Sequence, residues 1–321
     1  MMSTIIARRA DEDGRRVTVS TDDGVPIAVR VLGADDAALT VAFVHGHCLR
    51  ARSWFYLRDH LLRQWDDGIR MVFYDHRGHG DSGAADPTTY TIDQLGHDLD
   101  AVLRVVAPTG PLILVGHSMG AMVTLSYARL FPHTIGTRVV GLALIAGAAN
   151  GLTEVGLGRF LHRYAVSSLQ VAVLRAPRMM QASKRMTRRI FEPIVREAQF
   201  GTRKVNPRMA AVATAMLNDT PLLTMASFLT SLIAFDETAT LHSLGAIPAL
   251  VLAGTADIVV PFAHSVVLAS QLAGSELVRV DGAGHSVILE RAEEVALSLV
   301  ALVERARTGF AAPGSGMAVA G

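Results

Sequence analysis

The stretch that most constrains this chain is Leu112-Ile113-Leu114-Val115-Gly116-His117-Ser118-Met119-Gly120-Ala121. An apolar run of strand type ends in Gly-x-Ser-x-Gly, and a helical pattern follows at once. A turn that tight tolerates only small residues beside the serine. Gly116 and Gly120 flank it and Ala121 follows, which lets the backbone pass closely. The geometry exposes the Ser118 hydroxyl at the strand end. It also leaves backbone N–H groups free at the helix start, where an anion is stabilised.

The same rhythm runs through most of the chain. Arg16–Thr21 and Pro26–Leu32 are strand-like runs joined by Thr21-Asp22-Asp23-Gly24, a hairpin signal. Leu39–Val44 is a continuous apolar strand ending in His45-Gly46-His47-Cys48. Ser53–Trp65 reads as a helix with Ser53 as its N-cap. Ile69–Tyr74 is a buried-type strand running into Asp75-His76-Arg77-Gly78-His79-Gly80-Asp81-Ser82. A helix capped by Thr91 covers Thr91–Val106, and the helix after Ser118 stops near Pro132. Val139–Ile145, Pro248–Ala253 and Glu276–Val280 are further strands. Phe262–Leu272 and Ser286–Arg305 are helices. Strands alternating with helices predict an α/β fold, a mostly parallel, doubly wound sheet covered on both faces.

Between residues 151 and 240 the alternation stops and only helical periodicity remains. The expected organisation is therefore a core of residues 15–150 and 241–306, an inserted helical cap over 151–240, and flexible tails at 1–14 and 307–321. Every polar motif above closes a strand, which is where open α/β sheets bind ligands.

A serine hydroxyl needs a base to take its proton, and histidine has a suitable pKa. His285, in Asp281-Gly282-Ala283-Gly284-His285, follows the last strand. A carboxylate must orient that imidazole, and Asp257 stands after the preceding strand, 28 residues before His285. The position after Val139–Ile145 offers only Asn150, with Glu154 further on. Two N–H donors are needed for an oxyanion. The backbone amide of Met119 is one, and that of His47, after Leu39–Val44, is the other. Cys48 is read as a small buried residue rather than a second nucleophile.

Together these motifs resemble the α/β-hydrolase family. They are His45-Gly46, Asp75-x-Arg77-Gly78-x-Gly80-x-Ser82, Gly116-x-Ser118-x-Gly120, Gly254-x-x-Asp257-x-x-x-Pro261 and Gly284-His285. The resemblance covers roughly residues 15–150 and 245–306. It is nearest to the branch of serine esterases, cofactor-free haloperoxidases and epoxide hydrolases. It implies a catalytic order Ser118, Asp257, His285, a structural role for Arg77 in anchoring loops, and a cap made by the insertion. The elbow carries Ser118 where epoxide and haloalkane hydrolases carry aspartate. His47-Cys48 departs from the aromatic and proline common in the family's oxyanion motif.

Composition narrows the rest. With 30 basic and 29 acidic residues the net charge is +1, which gives no case for nucleic acid. The single cysteine can form neither an internal disulfide nor a thiolate metal site. No leader-like apolar core appears in Met1–Gly14, so a cytoplasmic location is expected. The insertion carries twelve basic and six acidic residues, together with Met179, Met180, Met186, Met209, Met216 and Met225. One reading is a solvated helical cap. The sharper one is a lid over a lipid-like acyl chain, with a basic face making peripheral contact with an anionic membrane.

The expected function is hydrolysis of a carboxylic ester of a small or lipid-like apolar molecule, with no metal and no organic cofactor. The same three residues would also serve perhydrolysis or cleavage of an activated carbon–carbon bond. A ligand-binding receptor or scaffold of this fold is the alternative from another class. The sequence leaves the oligomeric state open.

Overall fold

The central strands of this chain are largely apolar and fully buried because both of their faces are covered. A computed structural model describes residues 14–65, 67–160, 163–201 and 206–311. In chain order the elements are β1 (Arg15–Ser20), β2 (Pro26–Leu32), β3 (Leu39–Val44), α1 (Phe55–Leu61), β4 (Ile69–Tyr74), α2 (Ile92–Val106), β5 (Leu112–His117), α3 (Met119–Leu130) and β6 (Val139–Ile145). The helices α4 (Arg163–Arg175), α5 (Pro177–Gln199), α6 (Pro207–Asp219) and α7 (Leu222–Ile233) follow without a strand between them. The chain then returns through β7 (Ala249–Gly254), α8 (Phe262–Gln271), β8 (Ser275–Val280), α9 (Val287–Glu290) and α10 (Ala292–Ala311).

The eight strands form one sheet in the order β1-β2-β4-β3-β5-β6-β7-β8. The hairpin β1–β2 is antiparallel and joins β4 antiparallel, while every other pairing is parallel. Alternation along each strand divides the core. Val44, Tyr74, Leu114 and Leu144 pack with α2 and α3 on one face. Phe43, Phe73, Val115 and Ile145 pack with α1 and α10 on the other. The sheet is therefore doubly wound, as the alternation of elements predicts. The edge strands β1 and β8 are only partly buried.

Two helices start or end differently from the sequence reading. Ser53 is not an N-cap. It lies inside a 3-10 turn, Ala51–Trp54, that precedes α1, and it makes no cap hydrogen bond. The turn is pinned instead from outside, by the Ala51 amide donating to Asp75 Oδ1 at 2.7 Å. The closing helix is broken at Arg291 (φ −132°, ψ 44°) into α9 and α10. There the Glu290 carboxylate accepts from the amides of Gly284 (2.9 Å) and Gly201 (3.1 Å). Thr91 does cap α2, accepting from the Gln94 amide at 3.1 Å. The expected tails over 1–14 and 307–321 lie almost wholly outside the described residues, except that α10 extends to Ala311.

Arg77 anchors the loop after β4. Its side chain is fully buried, with both ends of the guanidinium occupied. Nε and Nη2 donate to the two oxygens of buried Asp98 at 2.6 Å each. Nη1 and Nη2 donate to Asp23 of the β1–β2 turn at 2.8 and 3.0 Å, and Nη1 also to Thr89 Oγ1 at 2.9 Å. Hydrogen bonding to Arg77 holds the Asp23 carboxyl down at about 2. One side chain thus ties a hairpin, a loop and α2 together. Removing it strands the Asp98 charge in the interior, so Arg77→Ala is expected to cost about 3–5 kcal/mol in urea unfolding. The Arg77→Ala/Asp98→Ala pair should cost less than the sum of the single changes, because the second change removes the stranded charge.

Candidate active site

Ser118 stands at the junction of β5 and α3 with φ 54° and ψ −120°, a region that L side chains rarely adopt. Its neighbours explain why the conformation persists. A Cβ on Gly120 would fall 1.9 Å from the carbonyl oxygen of Val44, and one on Gly116 would fall 2.4 Å from that of Gly120. Strand β3 and helix α3 therefore close on the serine from two sides with no room for side chains. The Ser118 amide donates to Ile145 of β6 at 2.9 Å, which fixes the turn to the sheet.

The three side chains expected from sequence meet above this turn. Ser118 Oγ lies 2.9 Å from His285 Nε2, and His285 Nδ1 lies 2.8 Å from Asp257 Oδ2. The carboxylate can only accept from Nδ1, so Nε2 is left as the acceptor facing the serine hydroxyl. The second oxygen of Asp257 accepts from the amides of Val259 and Val260 at 2.8 and 2.9 Å. These bonds hold the carboxylate at the end of β7. The loop bearing His285 is tied down as tightly. The Ser286 amide donates to the Gln199 carbonyl at 2.7 Å, and Ser286 Oγ to Gln199 Oε1 at 2.6 Å. Asn150, the other acid position considered, instead donates to Thr238 Oγ1 at 2.6 Å.

The loop after β3 abuts the serine directly, since a Cβ on Gly46 would lie 3.1 Å from Ser118 Cβ. A turn closes through the Leu49 amide on the Gly46 carbonyl at 3.1 Å, with Cys48 at φ 59°. The Cys48 amide donates to His79 Nε2 at 3.2 Å. Among the described residues, the amides of His47 and Met119 have no hydrogen-bond acceptor, and both residues line the cavity beside Ser118. Cys48 is buried, and burial pushes its thiol up to about 12, so it stays protonated.

Four further histidines brace this region. His76 donates its amide to His45 Nε2 at 3.0 Å and its Nε2–H to the His45 carbonyl at 2.9 Å. His79 Nδ1–H donates to the Arg77 carbonyl at 3.1 Å. His117 Nε2–H donates to the carbonyl of His285 at 2.9 Å. Each pattern fits a neutral ring. Burial, then the neighbouring imidazoles, holds His76 and His117 at about 3, and burial alone lowers His79 to about 4. His45 is also driven well below its ordinary value, and His47 to about 3, in both cases chiefly by burial.

His117 and Gln199 were not singled out from the sequence. For His117 a signal existed. Strand alternation puts it on the face of Ile113 and Val115, which the closing helix covers. Gln199 carries no such signal, because its partner Ser286 is 87 residues away.

Ser118 and His285 open into a cavity of about 380 Å³. The helical segment supplies much of its wall, through Leu169, Leu217, Leu222, Met225 and Leu229. Met119, Met122, Val259 and Val260 add to the apolar lining. No Asp, Glu, Lys or Arg lines it among the described residues.

Comparison with known proteins gives a consistent result. A family model described as "Alpha/beta hydrolase family" matches residues 41–297. A protein named proline iminopeptidase, from Pestalotiopsis fici, is 25% identical over 290 residues, covering 88% of this chain and 98% of its own. A monoacylglycerol lipase from Mycolicibacterium smegmatis is 29% identical over 171 residues, covering 50% of this chain and 60% of its own. Among solved structures, a thermophilic esterase from Thermogutta terrifontis superposes with a TM-score of 0.73 at 23% identity, covering 91% of this chain and 99% of that one.

The buried neutral rings make stability depend on pH. An unfolded chain takes up protons on these histidines as pH falls through about 6.5, while the folded chain does not until about 3 to 4. The unfolded state then binds more protons, so stability falls with falling pH across that window. Asp75 and Asp98, both raised by burial, work in the opposite sense, but they are two groups against five rings. Urea unfolding at pH 5 should show clearly lower stability than at pH 7.5. His79→Gln should flatten the slope by up to about 1.4 kcal/mol per pH unit.

Proposed function

The chain is a hydrolase of the alpha/beta hydrolase family, and we propose that it cleaves the carboxylic ester of a small or lipid-like, largely apolar molecule. The observation that carries this reading is the unbroken relay from Ser118 Oγ to His285 to Asp257, at 2.9 and 2.8 Å. In this reading His285 Nε2 takes the hydroxyl proton as Ser118 Oγ attacks the ester carbonyl. Asp257 keeps the imidazole in the required tautomer and balances the imidazolium charge. The oxygen that becomes negative sits against the amides of His47 and Met119, dipoles already fixed before the reaction. Collapse of the tetrahedral intermediate breaks the bond to the alcohol, which leaves with the proton from His285. A water then repeats the sequence on the acyl-enzyme, giving the acid and free Ser118.

The wall decides which substrates fit. An apolar cavity without carboxylates offers an acyl chain dispersion contacts and desolvation. It offers the ammonium of a peptide N-terminus no counter-charge, so the peptidase name of one relative argues weakly here. The helical segment, residues 151–240, acts in this reading as a cap that shapes the acyl site. A cytoplasmic location and freedom from metal or organic cofactor are part of the same proposal.

Two measurements test it. Ser118→Ala should lower kcat on p-nitrophenyl esters by at least about 10³-fold and abolish labelling by a fluorophosphonate, with the fold intact by circular dichroism. Undiminished labelling in that variant would move the nucleophile elsewhere. Across a series of p-nitrophenyl esters, kcat/KM should rise by up to about 200-fold from acetate to hexanoate, since each buried methylene is worth about 0.8 kcal/mol. A preference for acetate would remove the acyl-cavity reading.

A further inference from the structure

The outward face of α4 and the start of α5 does not look like a solvated surface. From Tyr164 to Leu174 the helix carries no charged residue. Its inner side is accounted for, because Val166 and Val173 are buried and Leu169 lines the cavity. Its outer side presents Tyr164 at 89% exposure, with Val171 and Leu174 also exposed. The spacing i, i+7, i+10 sets these three on one stripe. The next helix adds Met179 at 68% and Met186 at 82% exposure. Exposed large apolar side chains gathered this way mark an interaction surface.

Charge identifies the partner. Residues 155–191 contain eight Lys or Arg and no Asp or Glu, in a chain whose net charge is only +1. Arg175 and Arg178 are exposed between the apolar residues, and among the described residues neither is paired with a carboxylate. Apolar side chains flanked by Arg175 and Arg178, in a stretch of sequence without acidic residues, complement an interface of acyl chains beneath anionic headgroups. A second copy of this chain fits poorly, since two such faces would bring like charges together. No single described helix is long and apolar enough to cross a membrane, so the contact is with the surface.

We propose that the α4–α5 face docks on anionic lipid surfaces, with Tyr164, Val171, Leu174 and Met179 entering the interface and Arg175 and Arg178 meeting the headgroups. The geometry gives docking a consequence. Helix α4 has the cavity on one side and this face on the other. Leu157 lines the cavity yet is 40% exposed, so an apolar edge of the cavity reaches the surface within the same acid-free stretch.

The test uses the full chain as Ser118→Ala, so that binding is read without hydrolysis and its failure is separate from failure of the ester reading. Co-sedimentation with vesicles of phosphatidylcholine containing phosphatidylglycerol should exceed that with phosphatidylcholine alone by about tenfold, and should weaken as salt is raised. Val171→Ser/Leu174→Ser/Met179→Ser and, separately, Arg175→Glu/Arg178→Glu should each lower partitioning by about tenfold or more. The same surface changes on a Ser118 background should leave activity on a soluble short-chain ester unchanged, which establishes that they fold. Equal sedimentation of all variants, or none with anionic vesicles, would overturn the proposal. So would a concentration-dependent dimer in light scattering that the serine variant dissolves.

Discussion

The Val44 carbonyl meets the backbone of Gly120 so closely that even a methyl group there would collide at 1.9 Å. The rest of the site depends on that approach. It brings the end of β3 against the first turn of α3, and so places the His47 loop beside Ser118 in the folded chain without any induced movement. It also makes the strained backbone of Ser118 affordable only as part of the whole sheet. The conformation persists because β6 accepts its amide and β3 blocks its escape. Local sequence supplies the glycines, but the parallel sheet supplies the force that makes them necessary.

Around this junction the protein uses histidine in an unusual way. Six imidazoles lie within one region, yet only His285 faces a hydroxyl that could give up a proton. The others are largely buried neutral rings, and four of them join backbone segments. His45 and His76 clamp β3 to β4, His79 holds the Cys48 amide, and His117 holds the His285 carbonyl. The partners separate the two roles, since His285 lies between a carboxylate and a hydroxyl while the other rings are largely buried without a carboxylate partner. A ring that cannot be hydrated as a cation acts as a rigid polar strut at neutral pH. A lysine or carboxylate in the same place would carry charge into the site and alter the balance at Ser118.

How legible this was in the sequence follows from how local each signal is. Ser118, Asp257 and His285 each close a strand within a short motif, and the strand pattern alone orders them along the sheet edge. Arg77 announced itself by its Gly-rich loop, and its anchoring role depends on two partners, Asp23 and Asp98, that only the fold supplies. The readings that missed were those in which a distant group overrides a local preference. Ser53 has the composition of a helix cap, but Asp75, 24 residues beyond Ala51, already holds the start of that turn. The closing helix has continuous helical periodicity, but Glu290 turns back to the amides of Gly201 and Gly284 and the helix breaks beside it.

Those last contacts bear on how the helical segment relates to the chemistry. The loop carrying His285 is bonded not to the sheet alone but to the end of α5, through Ser286 to Gln199 and through Gly284 packed on Phe200 and Gly201. A Cβ on Gly284 would fall 2.4 Å from the Phe200 carbonyl carbon, so the two backbones are in contact along their length. The segment that walls the cavity is thus the same one that steadies the proposed base. A shift of the end of α5, where Gln199 lines the cavity, would have to stretch the Gln199–Ser286 bonds that hold the His285 loop. The cavity wall and the placement of His285 beside Ser118 thus share one set of contacts. In the proposed ester hydrolysis, substrate selection by the wall and activation of the serine would be two consequences of a single packing arrangement.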